Sequence, residues 1–118
     1  MLTLKDYLRL NGKYLKDAEE LLAKGDYTQA SEKFWGAATE MVKAVAAKHG
    51  VRLGTHKSRV KYVLEVDKKH PEWGLQEEFA QAETLHVNFY EDNLPEEAVK
   101  VRAEAVKRII AKLKPMLG

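Results

Sequence analysis

Cysteine is absent from this 118-residue chain. That absence excludes disulfides and thiolate metal sites, and it suits a reducing compartment. Nowhere does the chain approach the run of roughly 20 apolar residues that a membrane span needs. The N-terminal stretch MLTLKDYLRLNGKYLKD carries charges throughout and lacks the apolar run of a signal peptide. A soluble, cytoplasmic protein with no membrane partner is expected. There is no phosphate-loop glycine pattern, no nucleophile elbow and no HExxH. The four histidines stand at 49, 56, 70 and 86, without the close pairing of a zinc site. No metal and no cofactor is therefore expected. Strand-like alternation, low-complexity tracts and internal repeats are missing too.

Net charge is also small, 20 basic against 18 acidic residues, but it is unevenly spread. Residues 48–70 carry seven basic and two acidic side chains, whereas residues 71–118 carry six and nine. The local excess of base is a weak nucleic-acid signal. Arg52, Lys57 and Arg59 lie in it and are the candidates for meeting phosphate or RNA. A solvated basic surface is the competing reading. No aromatic residues interleave with these cations, so single-strand stacking is not indicated there.

What is present is helical periodicity. A first helix is predicted from about Thr3 to Lys24, with Thr3 and Asp6 as its capping pair and Gly25 as its stop. Its stripe is Leu4, Leu8, Asn11, Leu15, Ala18 and Leu22. A second runs from near Asp26 to His49 with Ala30, Phe34, Ala37, Met41 and Val45 on one face. The short turn between them makes an antiparallel hairpin. A shorter third helix, about Lys57 to Lys69, presents Val60, Val63, Leu64 and Asp67. The fourth is predicted from Pro71 to Glu91 and the fifth from Pro95 to Lys114, closed by Pro115. The fifth buries Val99, Ala103, Val106, Ile110 and Leu113. The length is that of one domain, residues 1–118. The expected fold is an all-α, up-and-down bundle of about five helices, four long and one shorter.

The sequence LHVNFYE, Leu85 to Glu91, interrupts the fourth helix with polar and aromatic residues. Its stripe reads Leu75, Phe79, Ala82, His86, Phe89, so His86 is expected on the core seam. Glu83 precedes His86 by one turn and Tyr90 follows by one, which puts the three on one face. Asn88 and Glu91 lie off that face, directed at a neighbouring helix or a second subunit. A seam histidine needs partners for both ring nitrogens. Glu83, Asn11 or a hydroxyl are the candidates for a structural role. The other reading is a functional His86 acting as acid, base or ligand. Asn11 is a second polar residue on a core stripe. It either hydrogen-bonds within a tight helix crossing beside Gly12 or faces His86 in a shared pocket. Trp35 and Trp73 are read as packing residues or interface anchors.

Two stretches carry a family resemblance. The hairpin AEELLAKGDYTQASEKFWGAATEMVKAVAAKHG resembles the first two helices of HEPN (higher eukaryotes and prokaryotes nucleotide-binding) domains. The matching residues are Ala18, Leu21, Gly25, Tyr27, Ala30, Phe34, Trp35 and Ala38. The segment AETLHVNFYEDNLPEEAV closely resembles the signature of archaeal PaREP-type proteins, a branch of the HEPN-like group. The resemblance implies a HEPN-like bundle, homodimeric, from an archaeon. Many HEPN proteins are ribonucleases whose motif is an Arg and a His with four to six residues between them. Were His86 the motif His, the Arg would stand at 79 to 81, where Phe79, Ala80 and Gln81 are found. Only His86 carries over. A tetratricopeptide hairpin shares the GDYTQA style of turn, but no second copy follows.

Three functions remain open on these grounds. One is a non-catalytic module that binds nucleotide or RNA through Glu83, His86, Asn88, Tyr90, Glu91 and Asn11. Another is a metal-independent ribonuclease using His86, with Arg52 or Arg59 in place of the missing Arg. The third is an interaction protein, such as a toxin–antitoxin component or the partner of a nucleotidyltransferase. The incomplete motif argues against catalysis.

Overall fold

A computed structural model describes residues 2–118. The first helix, α1, spans Leu4–Ala23. Thr3 and Asp6 cap it as the sequence predicts. Asp6 N donates to the Thr3 hydroxyl at 3.2 Å, and Thr3 N donates to the Asp6 carboxylate at 2.9 Å, which satisfies two otherwise orphan donors. Gly25 then turns the chain at φ +80°, a conformation that disfavours any residue with a Cβ. Helix α2, Tyr27–Lys48, starts at Asp26, whose side chain accepts from Gln29 N at 3.1 Å. Helix α3, His56–Lys69, is capped by Thr55 and Ser58. Helix α4 is Leu75–Glu91 and α5 is Glu96–Leu113, after which a 3-10 turn, Lys114–Leu117, ends the chain. No strand occurs among the described residues, so the fold is the expected all-α arrangement of five helices.

Helix α2 is the axis of the molecule. Thirteen of its residues are buried, because α1 covers one side while α4 and α5 cover the other. Its predicted stripe, Ala30 to Val45, is fully enclosed, and Phe34 and Met41 meet Leu85, Val106 and Ile109 in the core. Each such large side chain contributes about 1.5–3 kcal/mol by leaving water. Helix α1 has α2 as its main neighbour. One neighbour cannot cover a wide stripe, so only Asn11 and Ala18 of α1 are buried while Leu8 and Leu15 are half-covered. Helix α3 packs chiefly on α4 and lightly on α2. No described helix is long and apolar enough to cross a membrane.

Four expectations need correction. Helix α4 does not begin at Pro71. Pro71–Trp73 form a 3-10 turn, and Gly74 at φ +61° breaks it from the helix. Gly74 offers no capping side chain, and Asp67 of α3 accepts from Gln76 N at 3.3 Å instead. On α3 Val63 is buried as expected, but its companion in the core is Val66, 4% exposed, whereas Leu64 is 39% exposed. With α4 as its chief support, α3 buries only a narrow stripe. No close helix approach occurs at Gly12, where an added Cβ would meet nothing within 4 Å. The close approach is at Gly36, where a Cβ would stand 3.1 Å from the Tyr14 ring. Finally, α4 buries Leu75, Phe79, Ala82, Leu85 and Asn88. Steps of three from Ala82 carry the seam past His86, which stands at its edge with a third of its side chain exposed.

Candidate functional site

Because α1 and α3 grip α2 from different sides, one strip of α2 between them stays open. The strip runs through Glu32, Trp35, Gly36, Thr39, Glu40 and Lys43, at the three- and four-residue steps of a single helical face. Tyr14 of α1 and Arg59 of α3 form its two banks around a hollow of about 220 Å³. Gly36 is the floor, where the absent Cβ lets the Tyr14 ring come close. Lys33 leans over Tyr14, its Nζ 5.0 Å from the ring centroid.

A second, more open hollow of about 540 Å³ adjoins the first and shares Trp35 and Arg59 with it. Its other walls are His56 of α3 and Glu83, Thr84, His86 and Val87 of α4. The larger hollow lies within the range of small-molecule sites, about 300–1,000 Å³, and the smaller just below it. The shared wall is built by stacking. The Trp35 indole lies on the His86 imidazole with centroids 3.9 Å apart and planes 20° from parallel. The Arg59 guanidinium sits 5.9 Å from the Trp35 ring centroid.

His86 Nδ1 is 2.7 Å from Glu32 Oε1, a partner on α2 and none of those the sequence suggested. Glu83 instead faces α3, with Oε2 3.5 Å from His56 Nδ1. Tyr90 meets the edge of His86 at 5.3 Å but is 69% exposed, so it flanks the site without closing it.

Five buried side-chain polar atoms among the described residues have no partner within the chain. They are Trp35 Nε1, Thr39 Oγ1, Glu40 Oε2, Arg59 Nε and Glu83 Oε1. All five belong to residues lining the two hollows. An unsatisfied buried group costs about 1–3 kcal/mol, and natural chains rarely leave several in one place. Thr39 is 2% exposed and Glu40 8%, so neither is a surface residue with ready access to water.

Of the predicted candidates, the hollows gather Glu83, His86 and Arg59. The others lie elsewhere. Asn11 is buried in the α1–α2 contact, where its Nδ2 donates to Ala37 O at 2.7 Å. Asn88 faces a neighbouring helix. Its Nδ2 donates to Ser31 Oγ at 2.9 Å, and its Oδ1 accepts from Leu94 N at 2.8 Å. Glu91 is exposed on the last turn of α4, Lys57 is exposed on α3, and Arg52 lines shallow hollows near Leu53. Sequence reasoning missed Glu32, Trp35, Gly36, Thr39, Glu40, Lys33 and Lys43. The available signal was polarity: Thr39, Glu40 and Lys43 interrupt the Ala- and Val-rich run of α2, in register with Glu32 and Gly36.

The family model of the archaeal PaREP1/PaREP8 proteins matches residues 6–110, a span that contains every residue of both hollows. The chain belongs to this family. Beyond the family model, the PaREP1/PaREP8 chain is similar to the crystal structure of a structural-genomics target from Sulfolobus solfataricus. The TM-score is 0.81 at 28% identity, covering 92% of this chain and 97% of the other. No curated protein matches the chain.

Proposed function

We propose that this PaREP1/PaREP8 chain is a HEPN-like, homodimeric binding module for nucleotide or RNA, and that the paired hollows around Trp35 and Arg59 are its ligand site. The observation that carries the reading is that every residue with an unpartnered buried polar atom lines those hollows. They offer both donors and acceptors, as a nucleobase does. Lys33, Lys43 and Arg59 stand beside them as counterions for phosphate. Tyr14 supplies an aromatic ring of the kind on which bases stack. Exposed Val87 and Tyr90 flank the larger hollow and support its lying near a subunit contact.

The test is stabilisation. A ligand at about 100 times its Kd adds about 2.7 kcal/mol to the folded state. Nucleoside monophosphates and short RNAs should raise the Tm of the wild type, and Arg59→Ala should weaken the effect at least tenfold in concentration. No stabilisation by any nucleotide or RNA would sink the proposal. Light scattering after size exclusion reads the subunit number.

The contact of Glu32 with His86 Nδ1 favours ribonuclease activity as a second reading. A carboxylate that fixes one ring nitrogen orients the other for proton transfer. Arg59, in the same hollow, would provide the charge that the absent motif Arg does not. Cleavage of total RNA by the wild type but not by His86→Ala would support it; equal residual cleavage by both removes it.

A further inference from the structure

We infer that the smaller hollow is a base-recognition pocket selective for guanine, with Glu40 as the residue that reads the base. The inference rests on the nucleotide reading above and assigns the ligand within it. Glu40 is a carboxylate 8% exposed in the middle of α2. Its Oε1 has only a long contact to Lys43 Nζ, 3.5 Å, and its Oε2 has no partner at all. A buried carboxylate with both oxygens underused calls for two donors side by side.

Among the four RNA bases, guanine alone presents that pattern. Its Watson–Crick edge places N1–H next to the 2-amino group, and the two match the two oxygens of a carboxylate as an Arg fork does. Adenine and cytosine would each turn a ring-nitrogen lone pair toward one oxygen. Uracil would set its carbonyls beside its single N–H. Each mismatch leaves a buried acceptor unpaired, which is the strongest form of discrimination a pocket has.

Three of the four remaining orphans fit the rest of a guanine nucleotide, and the fourth, Glu83 Oε1, belongs to the larger hollow. Trp35 Nε1 and Arg59 Nε are donors, and guanine offers O6 and N7 as acceptors on the adjoining edge. The Thr39 hydroxyl can serve in either sense. Lys33 lies on the wall for phosphate, and Tyr14 lies over the Gly36 floor as a stacking face.

Isothermal titration of the intact protein with GMP, IMP, AMP, CMP and UMP tests this directly. GMP should bind at least tenfold more tightly than AMP, CMP or UMP. IMP, which lacks only the 2-amino donor, should bind about five- to tenfold more weakly than GMP. Glu40→Gln should remove the preference, weakening GMP about tenfold without weakening AMP, CMP or UMP, since the amide now offers a donor to the ring-nitrogen lone pair of adenine or cytosine. The IMP comparison needs no variant, so the inference stays testable if Glu40→Gln folds poorly. Equal binding of all the nucleotides overturns guanine selection but leaves the nucleotide reading intact. A GMP preference that survives Glu40→Gln overturns the role of Glu40. No binding by any nucleotide, nor by an RNA hexamer, overturns both. The hexamer, made with one G or with none, separates the sources. Tighter binding of the G-containing strand than of GMP assigns the base to RNA; equal affinities assign a free nucleotide. Either result supports the pocket.

Discussion

Gly36 shows how one missing methyl group shapes this molecule. It is helical and buried, so the helix forgoes the roughly 1 kcal/mol that Ala would provide. In return, Tyr14 settles over α2 and the strip beside it stays hollow. Gly36→Ala should change stability by less than about 1 kcal/mol, because propensity gained offsets the 3.1 Å contact with a half-exposed ring that can shift. Ligand affinity should nonetheless fall severalfold, since the added methyl displaces the Tyr14 ring that banks the site. Chemical denaturation beside titration separates the two effects. An unchanged affinity would show that the ligand does not rest there. This residue was not legible in the sequence. Gly12 looked like the packing glycine because it follows a polar core residue, and only the register of α1 on α2 decides which glycine meets a ring.

At the scale of elements, LHVNFYE divides into two jobs. Asn88 is a clamp: it holds Leu94 N in the α4–α5 turn and Ser31 on α2, while Ser31 donates to Tyr27 O at 2.7 Å. Asp92, at φ +46°, closes α4 and accepts from Thr28 at 3.0 Å. His86, two residues before Asn88, turns to Trp35 and the hollows. Asn88→Ala should therefore destabilise the fold by about 2–4 kcal/mol, by leaving Leu94 N unsatisfied and Ser31 short of a partner. Thermal and urea unfolding would measure it. A loss below about 0.5 kcal/mol would refute the clamp. Helix identity, stripes and caps were legible because propensity and periodicity act locally. Thr3–Asp6 and the buried face of α2 held to the residue. The start of the fourth helix is not legible in the sequence, because Gly74 and the remote cap from Asp67 depend on tertiary placement. The edge position of His86 is not legible either, because a periodic stripe predicts a seam but not its drift. Its partner Glu32 is 54 residues away, beyond any local rule.

For the whole molecule, exposed hydrogen bonds and ion pairs contribute to how stability varies with pH. Asp6 is held below the ordinary 3.8, first by its hydrogen bond to the Thr3 backbone. Glu96 is held below 4.5, first by the Tyr27 hydroxyl and then by Lys100. A depressed carboxylate stabilises the fold fully above its unfolded value, and the contribution is lost as pH falls through the folded one. Lys107 behaves in the opposite sense. Its hydrogen bond to Glu19, which ties α5 to α1, raises it above 10.5, so that contribution fades as pH rises past that value. The contributions of these three groups should fall away at the acid and alkaline ends. On the acid side, the Tm gap between wild type and Asp6→Ala should narrow below about pH 4; a gap that widens there would contradict the assignment.

The stacked pair of Trp35 and His86 has one more consequence, and it concerns light. The chain contains two tryptophans, and the other, Trp73, is stacked on His70 beside α3. Replacing Trp73 by Phe leaves a single indole set between the two hollows. Its emission would respond to whatever enters on the Arg59 side. The protein thus carries its own optical gauge of occupancy, placed where the unanswered polar atoms are.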